Sequence, residues 1–138
     1  MGKLHSDIES VRILISLLVQ KGIKEVVLSP GSRNAPLLVS VAREKRLKHH
    51  VIVDERSAAF FALGIPQQTV ALICTSGTAL LNYSPAVAEA YYQGIPLLVL
   101  SADRPSEWID QDDSQTIQQQ GTLCNFVKKS FQLPTVIT

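Results

Sequence analysis

Four short, largely apolar runs recur along this chain with helix-like segments between them: Glu25–Leu28, His49–Val53, Val70–Cys74 and Leu97–Ser101. Runs of four or five residues bounded by turn signals suit strands buried on both faces. Joining such strands in one direction requires a crossover over the sheet, most often a helix. The pattern therefore predicts an α/β fold, a parallel sheet with helices on both faces in three layers. At 138 residues, with no internal repeat and no linker, the chain reads as one domain over residues 1–138.

The helices carry their own punctuation. Ser6-Asp7-Ile8-Glu9 has the Ser-x-x-Glu form of a capping box. Ile8, Val11, Ile15, Leu18 and Val19 then recur at helical spacing through Lys21, with Gly22 placed to end the helix. Pro36–Arg46 reads as a second helix. A third runs from about Ser57 and stops by Ile65, because Pro66 disfavours helical geometry just before it. Thr75-Ser76-Gly77-Thr78 opens a fourth, which continues to about Gln93 and breaks at Gly94-Ile95-Pro96. Glu107–Gln120 is polar loop with some helix, and Phe126–Leu133 reads as a further strand.

Composition narrows the function classes. Hydrophobic content of 46% against 18% charged residues argues for a buried core and against disorder. A net charge of +1 leaves no footprint for nucleic acid or an anionic membrane. The cluster Arg43, Lys45, Arg46, Lys48 reads as a solvated helix end. Cys74 and Cys124 are too few for a disulfide framework, and Cys74 reads as a small buried hydrophobe. No ligand spacing marks a protein-bound metal. The N-terminus has no signal-like apolar core, and no run is long enough to span a bilayer, so the expected location is cytoplasmic.

Chemistry is expected where the loops after the strands gather, along one edge of the sheet. Four such loops are polar: Ser29–Asn34, Asp54–Arg56, Thr75–Thr78 and Ser101–Arg104. Val51-Ile52-Val53 reads as a buried strand ending in two adjacent carboxylates. In an extended segment Asp54 and Glu55 face opposite sides, so only one of them can aim at a given site. Either acid could instead merely favour the positive end of the next helix, and Ser76 could simply cap one. Arg33 and Arg104 together with several hydroxyls suit a small carboxylate or phosphate ligand, because guanidinium binds such oxygens through paired hydrogen bonds. The sequence contains no G-x-G-x-x-G, no G-x-x-x-x-G-K-[ST] and no G-x-S-x-G. His5, His49 and His50 do not fall at the post-strand edge.

Four segments occur in one order: Ser29-Pro30-Gly31-Ser32-Arg33, Asp54 through Gly64, Cys74-Thr75-Ser76-Gly77-Thr78-Ala79 and Ser101-Ala102-Asp103-Arg104-Pro105. Together they resemble the N-terminal domain of the 2-succinyl-5-enolpyruvyl-6-hydroxy-3-cyclohexene-1-carboxylate synthases, thiamine-diphosphate enzymes of menaquinone biosynthesis. The resemblance covers essentially the whole chain and implies a pyrimidine-binding domain cut from a longer enzyme. In that family a separate domain holds the cofactor's diphosphate through Mg²⁺ and is contributed by a second subunit of a homodimer or homotetramer. The implied reaction decarboxylates 2-oxoglutarate and adds the succinyl unit to isochorismate. Glu55 matches the catalytic glutamate that hydrogen-bonds the aminopyrimidine ring, and Thr78 lies in the loop near that ring. Ser32 and Arg33 match residues near substrate carboxylates, and Arg104, Ser114 and Gln115 match a second group beside isochorismate.

Two segments depart from the family pattern. Asp112-Asp113-Ser114 stands where Gly-Ala-Asn is common, and both aspartates are expected to face solvent. Gly64–Val70 is a few residues short, which trims a turn away from the site. Two other readings compete: a small-anion binding module using Arg33 and Arg104 without catalysis, and a structural assembly domain. For the latter Phe60, Phe61, Tyr91 and Tyr92 are the relevant residues. They are expected in the core, and their exposure would mark an interface.

Overall fold

The computed structural model describes residues 6–66 and 68–133. Four strands, β1 (Glu25–Leu28), β2 (Lys48–Val51), β3 (Val70–Cys74) and β4 (Leu97–Ser101), form one sheet in the order β2-β1-β3-β4. All neighbours are parallel, with Glu25 opposite both Lys48 and Val70, and Val70 opposite Leu97. Helix α1 (Glu9–Gln20) precedes β1, α2 (Ala35–Arg43) joins β1 to β2, and α3 (Glu55–Leu63) joins β2 to β3. Helices α4 (Thr78–Asn82) and α5 (Ser84–Gln93) join β3 to β4.

Strand alternation sorts the core into two layers. Val26, Leu28, Ala71 and Ile73 pack with Val11, Ile15, Leu18 and Val41 of α1 and α2. Val27, Val70, Leu72 and Cys74 pack with Ala58, Ala59, Ala62, Tyr83, Ala86 and Val87 on the other face. Chain direction accounts for the sides. The path steps from β1 out to β2 over α2, then reverses across β1 to reach β3 over α3. A right-handed crossover that reverses direction must change faces, so α3 lies opposite α2, and α5 continues on the side of α3. Each large aliphatic buried here contributes about 1.5–3 kcal/mol relative to exposure. Strand β3, buried at all five positions, therefore anchors the sheet, whereas β2 is exposed at three of its four.

Several expected boundaries move, each for a local reason. Ser6 does not cap α1. Its Oγ accepts from the Ile8 N–H at 3.2 Å and its N–H donates to Ser40 Oγ at 3.0 Å, which ties the helix entry to α2. The far end of α1 is as expected: Gly22 has φ +78°, Ile23 N–H bonds Leu18 O and Gly22 N–H bonds Val19 O, a Schellman arrangement. Helix α2 stops at Arg43, because the chain turns at Glu44, whose carboxylate takes a paired bond from Arg46 at 2.8 Å on each oxygen. Helix α3 starts at Glu55 rather than Ser57, since Asp54 caps it. The fourth expected helix is two, α4 and α5, separated at Tyr83, because Pro85 has no N–H to continue the ladder. Val51 and Val53 are not buried; β2 is an edge strand and they face solvent. Nor is there a strand over Phe126–Leu133: a 3-10 turn at Cys124–Phe126 gives way to irregular chain, and Phe126 packs on the α5 side.

Candidate functional site

The chain leaves β1 toward β2 and leaves β3 toward β4, so a crevice opens between the carboxyl ends of the adjacent strands β1 and β3. That is where open α/β sheets bind ligands. Ser29 N–H extends the ladder to Ile73 O at 2.8 Å, and Ala102 N–H extends it to Cys74 O at 3.0 Å. Asn34 is buried and its Nδ2 donates to Ser29 O at 2.8 Å, which closes the first loop. At Gly31 a Cβ would lie 2.4 Å from the Cβ of Thr75. Only glycine allows these two loops to touch. Their contact leaves Ser32 and Arg33 exposed at the rim, and Ser32 makes no side-chain hydrogen bond among the described residues.

The loop after β3 is buried from Thr75 to Gly77 and is held from a distance. Gly77 takes φ +79°, and a Cβ there would stand 2.9 Å from Gln115 O. Its N–H donates to Gln119 Oε1 at 2.5 Å, and Ser76 Oγ donates to Gln115 O at 3.0 Å. Gln119 Nε2 in turn donates to Ala102 O at 3.0 Å and Ser101 Oγ at 3.3 Å. One buried glutamine thus laces the loops after β3 and β4 together. The sequence reading passed over it, and the run Gln118-Gln119-Gln120 holds no signal that singles out its middle member. Thr78, first in α4, is exposed and makes no side-chain bond among the described residues.

Arg104 lies at the centre of the second polar group. Its side chain is only 9% exposed; Nη2 donates to Ser114 O at 2.8 Å, Nη1 is 3.4 Å from Asp113 Oδ2, and the buried Nε has no partner. The Trp108 ring is shared by both cations, 5.6 Å from the Arg33 guanidinium and 5.8 Å from that of Arg104, within cation–π range. Arg33, Arg104, Ser114 and Gln115 are therefore brought together, with Trp108 as a member the sequence had not marked. Asp112 and Asp113 are both exposed as expected, yet Asp113 still reaches Arg104. Positive φ at Asp112 (54°) and Gln115 (56°) folds the loop back and delivers Asp113 to Arg104.

At the head of α3 the two carboxylates divide their tasks. Asp54 Oδ1 accepts from Ser57 N–H at 2.7 Å; that backbone bond holds its carboxyl below the ordinary value. Glu55, half-buried, accepts one long bond at 3.2 Å from Asn82 Nδ2 on its Oε2. No other side-chain bond engages it among the described residues. A carboxylate held so loosely at this edge can bond a ring nitrogen of a ligand. No hydrogen bond or ion pair links Glu55 to the arginine group among the described residues. Beneath the edge, burial pushes the Cys74 thiol up to about 12 and raises Tyr83 further, so neither ionises near neutrality.

The remaining polar clusters lie elsewhere. His50 Nε2 is 2.6 Å from Glu25 Oε2, beside a groove of about 600 Å³ lined in part by Phe60 and Phe61. Glu25 and Lys48 open their strands, so this groove is at the opposite end of the sheet from the candidate site. Phe60, Phe61, Tyr91 and Tyr92 are 43–79% exposed, against the expectation that they fill the core. Tyr91 and Tyr92 each stand 6.3 Å from Phe126. No group of three or more His, Cys, Asp or Glu residues could hold a metal among the described residues.

Residues 8–122 match the family model described as the thiamine pyrophosphate enzyme N-terminal TPP binding domain. The chain belongs to this family. Among curated relatives, a 2-succinyl-5-enolpyruvyl-6-hydroxy-3-cyclohexene-1-carboxylate synthase of Porphyromonas gingivalis is 58% identical over 127 residues, covering 90% of this chain and 22% of the relative. The protein of that name from Cytophaga hutchinsonii is 59% identical over 120 residues, 85% of this chain and 22% of its own. That from Bacteroides fragilis is 49% identical over 138 residues, 98% and 25%. The chain thus spans about a quarter or less of these relatives. As a thiamine pyrophosphate enzyme domain it has the parallel, two-faced sheet described above. No helix among the described residues is long and apolar enough to cross a membrane.

Proposed function

We propose that this chain is the pyrimidine-binding domain of a 2-succinyl-5-enolpyruvyl-6-hydroxy-3-cyclohexene-1-carboxylate synthase. As part of the longer enzyme it serves a carboligation that decarboxylates 2-oxoglutarate and adds the succinyl unit to isochorismate in menaquinone biosynthesis. The observation that carries this reading is the 58% identity, over 90% of the chain, to a relative of that name. The geometry supports it: a half-buried, lightly bonded carboxylate and two guanidinium groups stand at the same sheet edge.

Thiamine diphosphate, when bound, supplies the carbon that attacks the 2-oxo acid. Glu55 bonds a nitrogen of its pyrimidine ring and exchanges a proton there, while Thr78 lines the approach to the ring. Arg33 with Ser32, and Arg104 with Ser114 and Gln115, receive substrate carboxylates through charge-assisted hydrogen bonds. Mg²⁺ and the diphosphate are held by a domain outside this chain, contributed by a second subunit of a cytoplasmic homodimer or homotetramer. The isolated domain has no activity of its own on this reading.

A reconstitution assay tests it. Full-length protein, native and Glu55→Gln, receives thiamine diphosphate, Mg²⁺, 2-oxoglutarate and isochorismate. The native protein should form product and Glu55→Gln should lose about 10²–10⁴ in rate, the usual contribution of proton transfer by a positioned side chain. An unaffected variant, or a native protein that forms no product, would transfer support to an anion-binding module built on Arg33 and Arg104.

A further inference from the structure

Arg104 already has a carboxylate within reach, and it belongs to the protein. We propose that Asp113 is a tethered competitor for the Arg104 guanidinium, one that an anionic ligand displaces and that sets the site's affinity for carboxylates. The inference rests on Arg104 being an anion-binding group, as in the function proposed above.

The geometry suits a contact made to be broken. Charge-assisted N–H···O bonds run near 2.7–2.9 Å, whereas Arg104 Nη1 and Asp113 Oδ2 are 3.4 Å apart through one oxygen. Arg104 is fixed independently of that contact: Nη2 is bonded to Ser114 O at 2.8 Å, the Trp108 ring lies 5.8 Å away, and the side chain is nine-tenths buried. Its Nε remains buried without a partner, a donor that Asp113 does not satisfy and that a ligand carboxylate can. Asp113 is 40% exposed, so moving it into water carries little desolvation cost. Its other restraint is a 3.3 Å bond from the Thr116 hydroxyl to the same Oδ2. Arg33, 5.6 Å from the same Trp108 ring, gives this group a second cation. A ligand with two carboxylates matches that pair fully only once Asp113 has moved aside.

The test is calorimetric titration of full-length protein with succinate as a plain dicarboxylate probe. Asp113→Asn, nearly isosteric, should tighten binding about threefold to fivefold, the range of a partly exposed ion pair. Thr116→Val, which keeps the charge but frees it, should tighten binding by less, and Asp112→Asn should change nothing. Unchanged or weaker binding in Asp113→Asn overturns the inference and makes Asp113 a support for Arg104. Arg104→Ala separates the two levels of the argument. If it weakens succinate binding while Asp113→Asn does not strengthen it, only the competitor falls; if it has no effect, or if succinate binds none of the proteins, the anion site falls too.

Discussion

Replacing Gln119 by leucine tests whether one buried amide holds the site edge together. Leucine keeps most of the volume and removes both polar atoms. Gly77 N–H, buried and bonded at 2.5 Å, then loses its acceptor, and Ala102 O and Ser101 Oγ lose a shared donor at 3.0 and 3.3 Å. An orphaned buried polar group costs about 1–3 kcal/mol. Gly77 bears that in full, while the half-buried Ala102 and Ser101 can recruit water and bear less. The sum is about 2–4 kcal/mol, a large share of the roughly 5–15 kcal/mol by which domains are stable. At about 3–5 °C per kcal/mol for a domain of this size, Tm should fall by ~10 °C. Differential scanning calorimetry of native chain, Gln119→Leu and the exposed control Gln120→Leu measures the shift, and hydrogen exchange at the Gly77 amide locates it. A Tm change no larger than the control's, with Gly77 exchange unaltered, would refute the reasoning.

Two further tests follow from ionisation. The Cys74 thiol, buried and pushed up to about 12, should resist iodoacetamide at neutral pH in the folded chain, whereas the exposed Cys124 should be alkylated; mass spectrometry showing two adducts before unfolding would contradict this. Asp54 is held below its ordinary 3.8 chiefly by the Ser57 backbone N–H. A lowered carboxylate contributes stability that is complete above its unfolded value and disappears as pH falls through its folded value. Urea midpoints of the native chain should therefore converge on those of Asp54→Asn as pH falls through and below the ordinary 3.8, and curves that stay parallel would show the cap to be inert.

Much of the fold was legible because its strongest signals are local. Val70–Cys74 is apolar at every position and becomes the strand buried at every position. Gly22 and Gly94 end helices where they were read to end them, each at positive φ. What misled depends on neighbours the chain cannot announce in sequence. Val51 and Val53 look buried until β2 proves to be an edge strand, and Phe60, Phe61, Tyr91 and Tyr92 look like core until alanines fill the α3–α5 contact instead. The same apolar residues would read identically in either setting, since period and composition do not record which strand lies at the edge.

The candidate site divides along the same line. Glu55, Arg33 and Arg104 were found because each follows a strand, and the position of a strand's end is local information. Gln119, Trp108 and the pairing of Asp113 with Arg104 were missed because they arise where the chain doubles back; Gln119 meets Gly77 across 42 positions. The turns that bring them there use positive φ at Asp110, Asp112 and Gln115, not at glycine. Aspartate tolerates that conformation better than most residues, so such a bend leaves little trace in composition. It leaves a physical one. Backbone held in a sparsely populated region persists only where surrounding contacts over-determine it, and here Ser76 bonds Gln115 O and Arg104 bonds Ser114 O, while Gln119 holds Gly77 beside Ser76. The segment that carries Asp113 to Arg104 is therefore held by the same bonds that close the loop after β3. Loosening Gln119 should release Asp113 as well, so the stability of this edge and its affinity for carboxylates are coupled through one loop.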